Sequence, residues 1–208
     1  MKTLALALTA AVLLAGCGST TIDGAIGPTA PLVTPQATTP SASTARTEFK
    51  VACPLFTSTT QGADKSAKPS PGSVLPTAPL ACLSDGRTVS LASYLGRPLV
   101  VHIWASWCDV CRSEMPAFMD GISQLPSSVR VVGVDWKDDD NSARAYAAAV
   151  NMSFPSVVDS SGALGILWGI NAQPATVLIR ADGSIAHIQR GSIGDASNLR
   201  ALVSKYLS

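Results

Sequence analysis

Residues 99–111 read Leu-Val-Val-His-Ile-Trp-Ala-Ser-Trp-Cys-Asp-Val-Cys, an apolar run followed at once by a C-x-x-C pair. The run is typical of a central strand that is buried on both faces. A helical pattern begins at the pair, so Cys108 falls at a helix N-terminus, where free N–H groups and the helix dipole favour a thiolate. A thiolate attacks disulfides, and Cys111, one helical turn on, can then close on Cys108. The stretch therefore predicts thiol–disulfide exchange.

Two other uses of the cysteine pair fit the sequence less well. Zinc takes about four ligands, usually from a second pair at similar spacing. The sequence has no second C-x-x-C, and His102 and His187 lie in separate apolar runs. A purely structural bond between Cys108 and Cys111 would close a very small loop and remove little unfolded-state entropy. We therefore expect a redox-active disulfide, with no metal and no cofactor.

The N-terminal segment has the pattern of a targeting signal. Its apolar core, residues 4–14, is shorter than the roughly 20 residues that span a membrane. Leu-Ala-Gly-Cys at 14–17 resembles the lipobox of bacterial lipoproteins, so we expect a signal peptide at 1–16 and a lipid on Cys17. An ordinary secretory signal with an incidental cysteine is the alternative. With the lipid, the protein would lie on the extracytoplasmic face of the cell membrane, where disulfides persist.

The composition divides the rest of the chain. Residues 17–48 are rich in Thr and Pro and nearly uncharged, which predicts an extended tether. Residues 49–82 are predicted to form an extension, and residues 83–208 have the size of one domain. The net charge is +1 and no basic cluster occurs, so nothing indicates a nucleic-acid partner.

Periodicity within the domain predicts the order β, β, α, β, α, short α, β, β, α. Asp182-Gly183 between two apolar runs indicates a hairpin, and Pro116 is expected to kink the first helix. Helices between strands, followed by a hairpin and a helix, predict an α/β fold with a mixed central sheet covered on both faces. The predicted strands are 87–91, 99–104, 129–136, 175–180 and 184–190. The predicted helices are 108–125, 141–150 and 164–168. A last helix is predicted near the C-terminus, with Leu199, Leu202, Val203 and Tyr206 on one apolar face.

The order strand, W-A-x-W-C-x-x-C, proline-containing helix and a later X-Pro before a hairpin resembles the thioredoxin fold. Cys-Arg-Ser-Glu-Met-Pro at 111–116 resembles the C-x-x-E-x-P continuation of the TlpA-like or ResA-like extracytoplasmic thiol–disulfide oxidoreductases. The runs at 131–135, 154–155 and 173–176 fall in matching order, as does Asp159. The resemblance covers about residue 80 to the end of the chain.

The resemblance assigns roles to five residues. Cys108 is the expected attacking thiol, and Cys111 the buried resolving thiol. Trp107 is expected to shape the surface of the site. In thioredoxin-like proteins the proline matching Pro174 is cis and lies against the pair, which would offer the backbone of Gln173 to an incoming peptide. A trans turn proline is the alternative.

Two further residues are candidates for proton transfer. Glu114 matches the glutamate that the ResA-like family keeps near its cysteines, and it lies three residues beyond Cys111, on the same side of a helix. It is expected to take or give the proton of the exchange, unless it is an ordinary solvated residue. His102 falls where thioredoxin has a buried aspartate. It is either a proton acceptor or a buried histidine satisfied by backbone groups.

Cys53 and Cys82 remain once the lipid site and the redox pair are assigned. In an oxidising compartment we expect them to form a structural disulfide. Free thiols or a second redox couple are the alternatives.

These observations predict an enzyme, a membrane-anchored thiol–disulfide oxidoreductase that acts on protein thiols and disulfides. The resemblance favours a reductase in cytochrome c maturation that exchanges electrons with a membrane redox donor or acceptor. The alternatives are an oxidase that inserts disulfides into exported proteins and a copper-binding lipoprotein that uses the pair as soft ligands. A peroxidase is disfavoured, because peroxiredoxins place a threonine three residues before their cysteine and Ala105 stands there.

Overall fold

The computed structural model describes residues 48–54 and 75–208. The predicted signal peptide, the lipidation site at Cys17 and nearly all of the predicted tether lie outside the described residues. The strands are β1 (Leu80–Cys82), β2 (Thr88–Val89), β3 (Leu99–Trp104), β4 (Arg130–Trp136), β5 (Ser156–Asp159), β6 (Ala175–Ile179) and β7 (Ile185–Arg190), and the helices are α1 (Asp109–Ser123), α2 (Asp140–Ala149), α3 (Ala163–Leu167) and α4 (Ala196–Leu207), with a 3₁₀ helix at Leu91–Tyr94.

The strands form one mixed sheet in the order β2-β1-β5-β4-β3-β6-β7. β3, β4 and β5 are parallel, whereas β6 pairs antiparallel with β3, and β7 with β6. All six residues of β3 are buried, as the unbroken apolar run predicts. Because three neighbouring strands are parallel, their carboxyl ends meet at one edge of the sheet, where sites in α/β folds form.

The sheet separates two hydrophobic cores. Side chains alternate along β3, so Val100 and Trp104 enter one core while Val101 and Ile103 enter the other. The first core is covered by α1, α2 and α4, and the second by α3 and the 3₁₀ helix. The predicted α/β fold, a mixed sheet with helices on both faces, is confirmed.

The predicted order lacks β1 and β5. These strands have three and four residues, and they pair antiparallel, with Ala81 opposite Val158. Strands this short are specified by their partners rather than by a period of their own. β1 lies within the segment predicted as an extension, and Phe49 of that segment is buried in the first core.

The predicted strand at 87–91 is wrong in its second half. Only Thr88–Val89 is extended, and the 3₁₀ helix begins at Leu91. Ser90 causes the change, because its hydroxyl oxygen accepts a hydrogen bond from the Ala92 N–H at 3.2 Å and so caps a helical turn.

The helices that frame the site begin at side-chain caps. α1 starts at Asp109, with Cys108 as its N-cap, and runs through the exposed Pro116. α2 begins at Asp140, one residue before the predicted start, because the Asp139 carboxylate caps it by accepting the N–H of Ser142 at 2.9 Å.

A second pair of cysteines joins the segment 48–54 to β1. The sulfurs of Cys53 and Cys82 are 2.06 Å apart, which is a bonded distance. Both residues are buried, and the Cys53 N–H lies 3.1 Å from the Cys82 sulfur.

Within residues 48–54 and 75–208, no helix has the length and apolar composition needed to cross a membrane.

Candidate active site

The two cysteines of the C-x-x-C pair differ in depth. Cys108 caps α1 directly after β3, and its sulfur is 2.16 Å from that of Cys111. The backbone N–H of Cys111 lies 3.1 Å from the Cys108 sulfur. Cys108 keeps 7% of its surface exposed, whereas Cys111 has none. An incoming thiol or disulfide can therefore reach Cys108 first, and the helix N-terminus stabilises a thiolate there once the bond is reduced.

Exposed apolar side chains flank Cys108. Trp107 is 58% exposed and Val110 is 51% exposed. The Trp107 indole N–H donates to the Lys137 carbonyl at 3.2 Å, so the ring is held in one orientation although it faces solvent. Fixed apolar surface beside a reactive sulfur suits contact with a peptide.

Gln173 and Pro174 lie immediately before β6, joined by a cis bond. The register of the sheet places Ala175 opposite Ile103, so the two residues lie beside the end of β3 that leads to Cys108. Pro174 is buried, Gln173 is half-buried, and the Pro174 carbonyl accepts the Gly191 N–H at 2.9 Å.

Glu114 of α1, three residues beyond Cys111, lies close to His102 of β3. Glu114 Oε1 lies 3.6 Å from His102 Nε2, and neither atom has a hydrogen-bond partner within the described residues. The other carboxylate oxygen accepts the Ser192 hydroxyl at 2.6 Å and the Ile193 N–H at 2.8 Å. Glu114 is therefore not a solvated helix residue; it is 3% exposed.

The His102 ring is enclosed on all sides. Its Nδ1 lies 3.3 Å from the Thr176 hydroxyl, and Phe118 stacks on it with ring centroids 4.0 Å apart. Among the described residues, the contacts of His102 are with side chains, whereas the alternative supposed backbone groups.

Burial shifts the pKa values of His102 and Glu114 in the directions that favour their neutral forms. Desolvation lowers the pKa of His102 to about 3, and desolvation raises the pKa of Glu114 above its usual value, opposed by the hydrogen bonds from Ser192 and Ile193. At neutral pH the histidine is uncharged. The carboxyl holds a proton more readily than a surface glutamate does, which suits it to exchange protons with a thiol.

The amino-acid sequence of this chain is similar to those of known thiol–disulfide oxidoreductases. Residues 71–188 match the AhpC/TSA family. The chain belongs to the AhpC/TSA family. Within it, the chain is 32% identical over 144 residues to the thiol:disulfide interchange protein DsbE of Xylella fastidiosa strain Temecula1, covering 67% of this chain and 70% of that protein. It is 28% identical over 110 residues to the thiol-disulfide oxidoreductase ResA of Oceanobacillus iheyensis, covering 52% and 57%.

Solved structures give the same assignment. A secreted Mycobacterium tuberculosis disulfide oxidoreductase homologous to Escherichia coli DsbE matches with 25% identity and a TM-score of 0.56, over 62% of this chain and 96% of that one. StoA from Bacillus subtilis matches with 26% identity and a TM-score of 0.52, over 61% and 98%. The thioredoxin-like fold is confirmed. This AhpC/TSA member is a thiol–disulfide oxidoreductase of the DsbE and ResA type, and therefore an enzyme.

Sequence reasoning missed the groups that hold the active-site loop. The Ser106 N–H donates to an Asp138 carboxylate oxygen at 2.5 Å, and the Ser106 carbonyl accepts from the Arg112 guanidinium at 3.3 Å. Arg112 also lies over the Tyr146 ring, 5.4 Å from its centroid. Position gives the only signal for Asp138, because it follows β4 at the edge where the carboxyl ends of the parallel strands meet.

Across the two described ranges, no group of three or more His, Cys, Asp or Glu side chains is arranged to hold a metal ion.

Proposed function

We propose that this protein is a lipid-anchored extracytoplasmic reductase of protein disulfides, in which Cys108 attacks, Cys111 resolves and the buried Glu114–His102 pair handles the resolving proton. The observation that carries the proposal is the difference in depth between the two thiols. Cys108 keeps 7% of its surface exposed and has the exposed Trp107 and Val110 as near neighbours in the sequence, whereas Cys111 is fully buried on the same face of the sheet as Glu114.

The exchange moves two electrons through one mixed disulfide. The Cys108 thiolate attacks a substrate disulfide, bonds to one sulfur and expels the other as a thiolate. Cys111 then gives up its proton and attacks the Cys108 sulfur, which re-forms the Cys108–Cys111 bond and expels the second substrate thiolate. The substrate gains two electrons and leaves as two thiolates, which take protons from water, and the enzyme pair loses two electrons and becomes a disulfide.

Glu114 is the proposed acceptor of the Cys111 proton. Cys111 has no exposed surface, so water cannot easily remove its proton. Glu114 lies one helical turn further along α1 and leaves Oε1 without a hydrogen-bond partner among the described residues. A buried carboxylate with an unpaired oxygen gains from taking a proton.

His102 is proposed to position Glu114 and to share the proton that it receives. Its Nε2 is 3.6 Å from Glu114 Oε1, and its Nδ1 is held near the Thr176 hydroxyl. A carboxyl that gains a proton can donate it toward Nε2, so both unpaired atoms are satisfied together. The transfer leaves no buried net charge behind.

Substrates are proposed to lie across Trp107 and along Gln173–Pro174. Trp107 supplies exposed aromatic surface. The segment before β6 lies beside the end of β3 that leads to the active loop, where an extended peptide would find backbone groups to pair with.

The proposed reducing direction and role in cytochrome c maturation rest on the resemblance of the C-x-x-E-x-P motif at 111–116 to that of the TlpA-like and ResA-like oxidoreductases. In that role the enzyme would keep haem-binding cysteines reduced and draw electrons from a membrane redox donor. The lipobox supports an anchor at Cys17, and the Thr- and Pro-rich tether would carry the domain away from the bilayer. A peroxidase gains no support, because the buried Ala105 supplies no hydroxyl to hold a peroxide.

The first experiment is reduction of insulin disulfides, coupled to a chemical reductant. The expected result is turnover by the wild type and by a Cys53→Ser/Cys82→Ser control, and none by Cys108→Ser. Absence of wild-type turnover, combined with tight Cu(I) binding by the reduced pair, would replace the enzyme by a copper-binding lipoprotein.

The second experiment fixes the direction and the substrate. A reduction potential of about −270 mV is expected, whereas a value of about −120 mV would make the protein an oxidase of exported proteins. Cys111→Ser should hold substrates as mixed disulfides through Cys108, and mass spectrometry then identifies them. Capture of apocytochrome peptides supports the maturation role, and capture of other proteins only would remove it.

A further inference from the structure

A buried carboxyl that the thiol chemistry does not use lies behind the active-site loop. Asp135 is the next-to-last residue of β4, with Trp104 of β3 on one side and Val158 of β5 on the other. It has no exposed surface. Neither of its carboxyl oxygens has a well-aligned hydrogen-bond partner in the described part of the chain, but a close side-chain contact with Asp138 is among the causes that raise its pKa. A buried, unpaired carboxyl is costly to the fold, so its position calls for a reason.

Side-chain alternation places this carboxyl on the same face of the sheet as the cysteine pair. Its neighbours Val134 and Trp136 belong to the core on the opposite face. Asp135 therefore points toward the side of Trp104, which shares its core with both cysteines.

Two contacts tie the active-site loop to the connection that follows β4. The Ser106 N–H donates to an Asp138 carboxylate oxygen at 2.5 Å, and the Trp107 indole N–H donates to the Lys137 carbonyl at 3.2 Å. Cys108 follows this loop directly. The orientation of the Cys108 sulfur toward an incoming disulfide therefore depends on the Asp138 carboxylate, which lies three residues after Asp135 along the chain.

The charges around Asp135 are mostly negative. Asp138 and Asp139 of the β4–α2 connection and Asp140 of α2 all disfavour its ionised form. From α1, Arg112 directs its guanidinium to the Ser106 carbonyl. The flanking strands place Trp104 and Val158 beside it, and both are uncharged.

We propose that Asp135 is a positioning residue for the reaction at Cys108: while it keeps its proton, the Asp138 carboxylate stays on the Ser106 N–H, and when it ionises, repulsion between the two carboxylates loosens the loop. This inference rests on the proposed thiol exchange and adds a pH limit to it. Burial, and next the charge of Asp138, raise the pKa of Asp135 to about 8. The loop is thus held firmly at neutral pH and weakly in alkali.

The test follows the reaction of the reduced enzyme with dithionitrobenzoate, a small aromatic disulfide, from about pH 6 to about pH 10. The quantity compared is the ratio of the Asp135→Asn rate constant to that of the wild type, since ionisation of the attacking thiol affects both proteins. The ratio should be near one in acid and rise toward about a hundredfold in alkali, the order expected when a reacting group is misplaced by about 1 Å.

Two further variants separate positioning from general charge. Asp140→Asn removes a nearby charge that does not contact Ser106 but that helps to raise the pKa of Asp135. Its rate constant relative to the wild type should therefore fall slightly where Asp135 ionises earlier, and should not rise in alkali. In an Asp138→Asn background, Asp135→Asn should change the rate constant little at any pH, because no carboxylate on the Ser106 N–H remains to be repelled. A flat Asp135→Asn ratio, or the same rise in Asp140→Asn, overturns the inference. Absence of any wild-type reaction would instead overturn the proposed function.

The Ser106 amide in the wild-type protein gives a test without substitution. Its NMR signal should move with a midpoint near that of the rise in the rate ratio. A Ser106 amide that does not respond between neutral and alkaline pH contradicts the inference, even if Asp135→Asn does not fold.

Discussion

Replacing Asp135 by asparagine should stabilise the protein, and by an amount that grows with pH. An unfolded chain loses the Asp135 proton near the ordinary value of 3.8, whereas the folded protein keeps it to about pH 8. Between these values the folded state holds one more proton than the unfolded state, so the wild-type free energy of unfolding falls as pH rises. Asparagine has nearly the same volume and does not titrate.

The size of the effect follows from this proton difference. Each pH unit over which the two states differ by one proton changes stability by about 1.4 kcal/mol. From about pH 4 to about pH 7, the wild type should lose about 4 kcal/mol that the Asp135→Asn variant does not lose. The buried amide itself costs about 1–3 kcal/mol if it stays unpaired, but that cost is independent of pH.

Urea unfolding of the oxidised protein at several pH values measures the difference directly. The other titrating groups contribute equally to both proteins and cancel in the comparison. Two stability curves that run parallel from pH 4 to pH 8, within about 1 kcal/mol, would show that Asp135 ionises normally in the folded state. The electrostatic part of the argument would then fail.

Three other predictions concern the polar pair and the second disulfide. His102→Asn should lessen the loss of stability in acid. The His102 pKa of about 3 in the folded protein makes the wild type lose stability as the pH falls below the ordinary value of 6.5. Between pH 7 and about pH 4.5, the free energy of unfolding measured with urea should therefore change in favour of the variant by about 3 kcal/mol. Glu114→Gln should slow resolution of the mixed disulfide by about a hundredfold without slowing its formation, which acid quenching and mass spectrometry would detect; equal slowing of both steps contradicts the assigned role. Cys53→Ser/Cys82→Ser should lower the free energy of unfolding by about 3–4 kcal/mol, from the loop of sequence separation 29, and keep insulin turnover; loss of turnover in a folded double variant would refute a purely structural role.

Local patterns predicted the parts of the fold and site that lie close together in the sequence. The unbroken run at 99–104 predicted a buried strand, and the C-x-x-C spacing placed Cys108 at the start of a helix. Asp182-Gly183 predicted the hairpin of β6 and β7. Each pattern spans only a few residues, so it can be recognised without knowing what packs against it.

Contacts between distant residues could not be predicted in this way. Ser192 donates to Glu114 across a separation of 78 residues, and Asp138 accepts from Ser106 across 32. Serine and aspartate after a strand are ordinary loop residues, and only the sheet order brings them to the cysteines. β5 escaped prediction for the same reason, because its four residues are defined by their neighbours.

The polar groups on the cysteine face weaken the fold that holds them. His102, Glu114 and Asp135 are all buried, and each has at least one side-chain atom without a hydrogen-bond partner among the described residues. Apolar side chains at these positions would give a more stable fold, since a buried unpaired polar group is destabilising. Other strand residues on this face are apolar, as a buried position favours, and include Val100 and Trp104. The exceptions lie near the one reaction that needs a proton held away from water, which is where a protein is expected to give up stability for chemistry.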